Sequence, residues 1–485
     1  MNRMKDIIFV IPGEHWEGVN PATNSPSLGV AYLAGMLQKN GFSCAVLDMT
    51  VSGISQNDVL EKITQEKPLA VGISVNLFNA KAGITLSRRI KEKYHNNLPV
   101  IFGGAFPTSH PEKFLTEGLA DCVVIGEGEY TLLEIIRCFK EKSAGGLCEI
   151  SGLAYREKDR IFYTQRRERI RDLDSLPFPA WGVFPPLSLY RTRSRKSPAA
   201  PLLTSRGCPF NCIYCSKDVF KSEFITRSPQ NVIEEIDNLV KVFHVRQLDI
   251  MDDNFTQNRD RAEAILDLLM QRRYDLAINL QLGVRADSVD EKLLRKMKAA
   301  GVYKIAFGVE SGDSGVLKNI KKQLDLDVVL KNARLAKKTG MLVYGFFMFG
   351  LPGDTCATMQ KTIDLAMKMN PHIANFVITI PFPGTSLYDL IKQEGNLLID
   401  TADGLQSGFY SQKVFYELGD TKAEDVLRYY NLAYRSFYGR ISKIMDLLFG
   451  IRSLSELRWI SSTATSVLRP LLVKKAQSFG MSRYR

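Results

Sequence analysis

The fold of this chain can be worked out from the stretch Ser205-Arg206-Gly207-Cys208-Pro209-Phe210-Asn211-Cys212-Ile213-Tyr214-Cys215. Its three cysteines have the spacing C-x3-C-x2-C and follow an apolar run that predicts a strand ending in a loop. Three thiolates this close can converge on one metal centre, and thiolates are the ligands of iron–sulfur clusters. A [4Fe–4S] cluster normally takes four cysteines, so three leave one iron open. The alternatives are buried cysteines or a structural zinc site, but zinc needs a fourth Cys or His and His244 is far along the chain.

This cysteine motif, with the aromatic Tyr214 just before the third cysteine, resembles the radical S-adenosylmethionine (SAM) superfamily. The resemblance implies that Cys208, Cys212 and Cys215 hold a [4Fe–4S] cluster and act with it in catalysis. It also implies that SAM chelates the open iron through its amine and carboxylate, with Tyr214 among the cofactor-binding residues.

Composition indicates an ordinary globular protein. The 485 residues suggest two to four domains, with 45% hydrophobic and 24% charged residues. Eight cysteines are too few for a disulfide scaffold, and with an oxygen-sensitive cluster they favour a reducing cytoplasm. We expect neither a signal peptide nor a transmembrane helix. The net charge of +12 is spread along the chain without an aromatic–basic RNA-binding motif, so we expect no nucleic-acid partner.

The amino-terminal part alternates short β-branched runs with amphipathic stretches, which predicts a doubly wound, flavodoxin-like parallel sheet over residues 1–145. The predicted strands are Ile7–Ile11, Ser43–Leu47, Ala70–Val75, Val100–Phe102 and Cys122–Ile125. Ligands in such sheets bind at the carboxyl ends of the strands. Glycines occur there, notably in Gly103-Gly104 and in Gly126-Glu127-Gly128-Glu129.

This layout resembles the cobalamin-binding domain that precedes many radical SAM cores. The resemblance implies that cobalamin is bound near Ser74, Gly103, Gly104 and Glu127. The D-x-H-x-x-G loop, whose histidine ligates cobalt in other cobalamin proteins, is absent. The resemblance therefore implies either cobalamin bound without a protein histidine or a fold that has lost the cofactor. The alternative is that these glycines only serve strand ends and turns.

Residues 146–197 are predicted to be a linker with a small hairpin and a proline-marked join, and residues 198–393 the radical SAM core. The βα rhythm returns in this core and fits a partial (β/α)6 barrel. The predicted strands are Pro201–Ser205, Gln247–Met251, Ile278–Gly283, Lys304–Val309, Tyr344–Phe349 and Ala374–Ile380. Chemistry in parallel barrels gathers at the carboxyl ends of strands.

Polar residues stand at those ends. Asp252 and Asp253 follow the second strand, and two adjacent carboxylates there suit a cation or an ammonium. Arg285 follows the third strand and suits a carboxylate. By resemblance, the aspartates meet the methionine amine of SAM or line its site, Glu310 accepts from the SAM ribose, and Gly350 belongs to a glycine-rich turn near adenine.

Each of these residues also has a structural explanation. Asp252 and Asp253 could cap the next helix, Arg285 could pair with Asp287, and Glu310 could be an acid at a helix N-terminus. Their occurrence at successive strand ends behind the cysteine loop favours the functional reading.

The region 394–485 is predicted to be helical. A helix is expected from Thr421, as N-cap, to Arg440, followed by the apolar segments Ile444–Ile451, Leu454–Ile460 and Val467–Val473 with interleaved basic residues. Such helices can lie on an anionic membrane surface. The alternatives are a helical cap over the barrel or a disordered tail.

The resemblance implies a radical SAM enzyme that cleaves SAM reductively and, with cobalamin, methylates an unactivated centre of a small molecule or lipid. The electron donor would be a flavodoxin or ferredoxin. Non-methylating cyclisation or rearrangement remains open, since the magnesium-protoporphyrin monomethyl ester cyclase group shares this architecture. A cobalamin- or cluster-binding sensor without turnover also remains open. A methylthiotransferase is disfavoured because the amino-terminal domain lacks a second cysteine set.

Overall fold

The computed structural model describes residues 5–13, 24–51, 53–141, 146–190, 194–403 and 412–443. Two main sheets, each covered by helices, account for most of these residues. The first lies in the amino-terminal part and the second begins near residue 199. The prediction of an α/β fold, with one sheet in the amino-terminal part and a second sheet in the following core, is confirmed.

The first sheet has seven strands in the order β2-β1-β3-β4-β5-β6-β7. The strands are β1 (Ile7–Ile11), β2 (Cys44–Asp48), β3 (Ala70–Ser74), β4 (Val100–Gly103), β5 (Cys122–Val124), β6 (Leu153–Glu157) and β7 (Arg160–Tyr163). The helices are α1 (Leu28–Lys39), α2 (Gln56–Glu66), α3 (Ala80–Lys93), α4 (Ala105–Ser109), α5 (Glu112–Leu115) and α6 (Glu129–Glu141). β1 is buried along its whole length, as expected of a central parallel strand covered on both faces.

The hairpin expected in the linker belongs to this sheet. β6 pairs antiparallel with β5, and β7 pairs antiparallel with β6. The first sheet therefore extends past residue 145, where we placed the end of the amino-terminal domain. A hairpin can join a parallel sheet in this way because an antiparallel pair needs only a tight turn, whereas a further parallel strand needs a crossover.

The second sheet is entirely parallel and its strands follow chain order, β8-β11-β12-β13-β14-β15. The strands are β8 (Ala199–Leu202), β11 (Gln247–Ile250), β12 (Ala277–Val284), β13 (Val302–Glu310), β14 (Leu342–Phe349) and β15 (Ile373–Ile378). Two short ribbons accompany them: β9 (Ser205–Arg206) with β10 (Ile225–Thr226), and β16 (Asn396–Leu397) with β17 (Tyr416–Glu417). The sheet is an open, partial barrel because β8 and β15 do not pair with each other.

Helices connect and cover these strands. They are α7 (Pro229–Lys241), α8 (Arg259–Arg272), α9 (Glu291–Ala299), α10 (Ser314–Asn319), α11 (Leu326–Lys338), α12 (Cys356–Met369), α13 (Ser386–Glu394) and α14 (Ala423–Tyr438). Pro201 lies in β8, where its missing N–H is tolerated because β8 is an edge strand.

The first barrel strand is shorter than predicted. β8 ends at Leu202, and the backbone N–H of Thr204 donates to Asp252 at 2.6 Å instead of continuing the ladder. Ser205 and Arg206 then pair with β10 in a separate ribbon. The chain therefore leaves the sheet three residues early and carries the cysteines away on a loop.

The carboxyl-terminal helix differs at its start from the prediction. α14 begins at Ala423 with Lys422 as N-cap, and the Thr421 hydroxyl donates to the Asp354 carbonyl instead of capping the helix. Its apolar face is buried against the barrel, so this helix is a cap over the barrel. The predicted segments Ile444–Ile451, Leu454–Ile460 and Val467–Val473 lie outside the described residues. Within the described ranges, no helix is both long and apolar enough to span a bilayer.

Candidate functional site

The cysteine loop leaves the barrel at Gly207. This residue has φ +84°, and a side chain there would overlap the Glu223 carbonyl oxygen. Only glycine meets both conditions without strain. The Gly207 N–H donates to Asp253 Oδ2 at 3.1 Å, so one of the predicted carboxylates fixes the direction in which the loop starts.

Side chains and backbone from other elements hold the rest of the loop. The Lys217 ammonium donates to the Cys208 carbonyl at 3.2 Å and to Asn211 Oδ1 at 3.1 Å, and it also contacts the Phe210 carbonyl. Further along, the Ile213 N–H donates to the Ile320 carbonyl at 3.2 Å. These hydrogen bonds help to hold the loop in the cofactor-free chain.

The three cysteines of the motif form no disulfide, and the charge of Cys212 acts on both Cys208 and Cys215. Protein atoms crowd the Cys215 sulfur although the residue keeps an exposed surface, and this desolvation, with the neighbouring Cys212, raises the pKa of Cys215 to about 12. Burial also raises the pKa of Cys208, with Cys212 adding to it. Three thiolates here would be uncompensated negative charge, which a cationic metal cluster compensates.

Thiolates at this spacing suit an iron–sulfur cluster. In the part of the chain that the structure describes, no three Cys, His, Asp or Glu side chains stand close enough to ligate one ion. The thiolates of an iron–sulfur cluster bind different irons and need not converge on one point.

Asp252 is used inside the protein. Its Oδ1 accepts the Thr204 N–H, and its Oδ2 accepts the Ser205 hydroxyl at 2.6 Å and the Thr204 hydroxyl. It is 2% exposed, and burial raises its pKa. Both oxygens are thus occupied by the turn that precedes the cysteines, which differs from the expectation of an aspartate directed at SAM. Burial also raises the pKa of Asp253.

Glu310 ends β13 with the left-handed φ of +67° and is 7% exposed. Its Oε1 accepts from the Lys322 ammonium at 3.0 Å, and Lys322 Nζ is 3.5 Å from the Tyr214 hydroxyl. Burial opposes the charge on Lys322, yet its pKa is raised because the Glu310 carboxylate stabilises the ammonium. Burial and Glu310 raise the pKa of Tyr214, so the phenol is neutral.

Lys322 was missed by the sequence reasoning. It stands in the run Lys318-Asn319-Ile320-Lys321-Lys322, which is indistinguishable from an exposed basic turn. No signal in the sequence separates it from its neighbour Lys321, which is exposed. Only the fold brings it to the second and third cysteines through Tyr214.

Arg285 has the structural partner that we considered. It forms a two-point pair with Asp287, at 3.0 and 2.7 Å, and donates to the carbonyls of Lys322 and Gln323, each at 3.0 Å. Its guanidinium also lies 3.8 Å from the ring centre of Phe210 in the cysteine loop. Arg285 therefore joins the Lys322 turn to the cysteine loop.

Gly350 belongs to the turn that follows β14. Its N–H and that of Leu351 donate to Asp354 Oδ2 at 3.0 and 2.9 Å. Its carbonyl accepts the Tyr416 hydroxyl. The turn is thus formed by the chain itself, at the carboxyl end of a barrel strand where the expected adenine region lies.

A cavity of about 310 Å³ opens at the carboxyl ends of the first sheet. Four predicted residues line it, namely Ser74, Gly103, Gly104 and Glu127. Gly104 has φ +113°, and a side chain there would overlap the Val75 carbonyl. Gly29 and Gly126 also line the cavity, and a Cβ added at either would meet only open space. The volume is within the range of ligand pockets, and the bare backbone suits a bulky cofactor.

The cavity wall is completed by residues that follow β8, the first strand of the second sheet, namely Leu203, Arg206, Val219, Phe220 and Met251. No histidine is among its described lining residues. His110, which stands in the wrong context for a cobalt ligand, stacks on Phe106 at 5.7 Å between ring centres.

Glu127 lines the cavity, and both of its carboxylate oxygens are paired with arginines. Its Oε1 pairs with Arg206 at 2.7 Å and its Oε2 with Arg169 at 2.8 Å, and the Ile170 N–H donates to Oε2 at 3.0 Å. The expected contact with a cofactor is therefore not available to these oxygens while the pairs are intact.

Comparison with known proteins gives two family matches. Residues 202–366 match the radical SAM superfamily, and residues 18–136 match the B12 binding domain. An uncharacterized methyltransferase of Pyrococcus horikoshii is 30% identical over 80% of this chain and 83% of its own length. The anaerobic magnesium-protoporphyrin IX monomethyl ester cyclase of Rubrivivax gelatinosus is 28% identical over 79% of this chain and 69% of its own.

Among solved structures, the cobalamin-dependent SAM radical enzyme OxsB with aqua-cobalamin and SAM bound has a similar fold. The TM-score is 0.73 at 18% identity, covering 95% of this chain and 71% of that one.

Proposed function

This chain belongs to the radical SAM enzymes that carry a B12-binding domain, and we propose that it methylates an unactivated centre of a small molecule or lipid with the help of cobalamin. Its cofactors are a [4Fe–4S] cluster, SAM and cobalamin. When bound, the cluster supplies the electron for reductive cleavage of SAM, and cobalamin carries a methyl group.

The observation that carries this proposal is the common wall of the two sites. Arg206 lines the cavity of the first sheet, and Gly207 and Cys208 follow it directly in the chain. A cofactor in the cavity therefore lies beside the start of the cysteine loop. A reaction that uses both cofactors on one substrate needs this proximity.

We assign roles to the residues of the chain as follows. Cys208, Cys212 and Cys215 hold the cluster. Glu310, kept in place by Lys322, and Tyr214 orient SAM beside it. Asp252, Asp253 and Arg285 position the cysteine loop instead of touching SAM, which accounts for their bonds within the protein.

The side chains of β14 alternate between buried and half-buried positions. Alternate residues of β14 pack outward against helices, including Phe347 and Phe349, which are fully buried. The intervening Tyr344, Phe346 and Met348 are half-buried and face the interior. This largely apolar face is where a substrate with an apolar portion would lie, and such a substrate would displace water from it.

Methyl-deuterated SAM tests the proposal. The full chain is loaded anaerobically with iron, sulfide and hydroxocobalamin, then reduced in the presence of SAM and a small-molecule and lipid extract. We expect 5′-deoxyadenosine and a deuterated methyl group in a product found by mass spectrometry. Deuterium transfer by the Cys212→Ala variant would contradict the proposal, because that variant lacks a ligand of the cluster.

Non-methylating cyclisation or rearrangement is a second candidate, favoured by the similarity to the Rubrivivax cyclase. In the same experiment it gives 5′-deoxyadenosine and a changed substrate without deuterium. A sensor without turnover gives neither product.

We also propose that a flavodoxin or ferredoxin is the electron donor. A further proposal is that the chain contacts a membrane peripherally. Donor choice is tested by SAM cleavage with each reduced protein in place of a chemical reductant. Membrane contact is tested by flotation of the full chain with anionic vesicles, with neutral vesicles as control.

A further inference from the structure

Four charged side chains are buried together between the two sheets, and we call them the junction cluster: Glu127, Glu129, Arg169 and Arg206. Arg206 pairs with Glu127 at 2.7 Å and with Glu129 at 2.6 Å. Arg169 pairs with Glu127 at 2.8 Å. Every side chain in the cluster is 7% exposed or less. Two carboxylates face two guanidinium groups, so the charges balance.

Arg206 is the centre of the cluster. Its guanidinium donates to two carboxylates at once and lies between two aromatic rings, 5.2 Å from the centre of Tyr32 and 5.4 Å from that of Phe220. Burial opposes its charge, but Glu129 and Glu127 together raise its pKa. A planar fork with this many partners has one favourable orientation.

The two sites meet in this residue. Glu127 and Glu129 flank Gly128 in the cavity wall, and Tyr32 and Phe220 line the same cavity. On the other side, the backbone of Arg206 continues into Gly207, whose N–H is held by Asp253. A group that fills the cavity therefore contacts Arg206 and the side chains that hold it, and Arg206 directly precedes the first residue of the cysteine loop.

We propose that Arg206 is a positioning residue that couples the two cofactor sites, so that cobalamin in the cavity and the cluster on the cysteine loop favour each other's binding. The inference rests on the proposed function, since it takes both cofactors as ligands. The fork of Arg206 requires Glu127, Glu129 and the start of the cysteine loop to keep their relative positions. A ligand that stabilises these positions at one site therefore favours binding at the other, and such coupling is reciprocal.

The test measures the dissociation constant of hydroxocobalamin by absorbance titration of the full chain, with the cluster reconstituted and after chelation of the iron. We expect the wild-type chain to bind cobalamin at least about fivefold more tightly with the cluster present. Arg206→Lys should bring this ratio close to one, because an ammonium cannot donate in a fork to both carboxylates. Arg206→Met should abolish the coupling.

Arg227→Lys is the matched control. Arg227 is also a buried arginine, but its carboxylate partner Glu235 lies in α7 of the same half of the chain. Towards the preceding part of the chain it meets only uncharged groups in these contacts, the Tyr32 hydroxyl at 3.3 Å and the ring of Phe178. This variant should keep the wild-type ratio even where it lowers stability.

Failure of the coupling and failure of the proposed function give different outcomes. Equal cobalamin affinity with and without cluster in the wild-type chain, or an unchanged ratio in Arg206→Lys, overturns the coupling alone. Absence of cobalamin binding in both forms overturns the proposed function. If Arg206→Met does not fold, the reciprocal measurement on the wild-type chain decides: cobalamin must raise the fraction of iron retained at equilibrium with a chelator.

Discussion

Lys322 is the charged residue that links the end of β13 to the cysteine loop. It is 8% exposed, pairs with Glu310 and reaches the Tyr214 hydroxyl. Buried charges persist only when they are paired, so Lys322 and Glu310 depend on each other. The pair fixes a carboxylate near Cys212 and Cys215, in the position from which we propose that Glu310 orients SAM.

Replacing Lys322 by methionine leaves the Glu310 carboxylate buried without its ammonium. We expect the dissociation constant of SAM, measured by equilibrium dialysis on the cluster-loaded chain, to rise about tenfold, which is about 1.4 kcal/mol. Lys321→Met is the control, because Lys321 is the exposed neighbour. Wild-type SAM affinity in Lys322→Met would show that the pair has no part in binding.

We assign the cluster to the three cysteines of the loop and not to the other five cysteines of the chain. Cys212→Ala removes one thiolate, so the reconstituted chain should lose its iron and its broad visible absorbance. Cys356→Ala changes a half-buried thiol at the start of α12 and should retain both. Full iron content in Cys212→Ala would refute the assignment of the cluster to this loop.

At the scale of elements, α14 protects the edge of the barrel. The Tyr438 hydroxyl accepts from the Ala374 N–H at 3.1 Å and donates to the Ala374 carbonyl at 2.9 Å, and the Tyr434 hydroxyl donates to the Phe376 carbonyl at 3.0 Å. Two tyrosines thus satisfy backbone groups of β15 that a seventh strand would otherwise pair. Unpaired edges invite association with other chains.

Tyr438→Phe keeps the ring and removes both hydrogen bonds to Ala374. The buried backbone groups then lack partners, so we expect the free energy of unfolding to fall by about 2 kcal/mol. Tyr429→Phe, on a partly buried position of the same helix, should change it little. Urea unfolding of the full chain checks both variants, and equal losses would contradict the role of the Tyr438 hydroxyl.

The turn between β14 and α12 contains Asp354, a carboxyl group with a raised pKa. Burial raises the pKa of Asp354 from 3.8 to about 6. Between these values the folded chain binds a proton that the unfolded chain has released. The free energy of unfolding therefore falls as pH rises through this window and stays lower above it.

Asp354→Asn removes this titration. Relative to the variant, the wild-type thermal midpoint should be highest near pH 4 and should decline until about pH 6. Asp364→Asn, which changes an exposed carboxylate on α12, is the control and should follow the wild-type curve. Parallel curves for wild type and Asp354→Asn would contradict the raised pKa.

At the scale of the whole molecule, the two sheets meet through charges as well as apolar side chains. Glu127 accepts hydrogen bonds from Arg206, which follows the first strand of the second sheet, and from Arg169 and Ile170 in the segment between the two sheets. Removing one partner of a buried network leaves the opposite charge uncompensated.

Glu127→Gln should therefore lower the free energy of unfolding by about 3 kcal/mol. Glu134→Gln is the comparison, because Glu134 lies in α6, just after Glu127, and also pairs with an arginine, Arg167, but is 39% exposed. Exposed pairs contribute about 1 kcal/mol or less. Urea unfolding of both variants decides, and similar losses would show that burial of the junction cluster does not matter.

Features that depend on neighbours in sequence could be predicted. The spacing of Cys208, Cys212 and Cys215 determined the cluster loop, and the alternation of apolar runs determined the strands, since period and spacing are local properties. The bounds of β1 were predicted to the residue. The predicted end of β8 was wrong, because a carboxylate distant in the chain, Asp252, accepts the Thr204 N–H and ends the strand.

Partners far apart in the chain were decided by tertiary structure. Arg206 and Glu127 are 79 residues apart, and Lys322 and Tyr214 are 108 apart. The sequence by itself determined which cofactors this chain is made for. Only the packing of the two sheets decided which acids and bases touch, because a buried charge selects its partner by desolvation and distance, and neither is encoded in the spacing of residues along the chain.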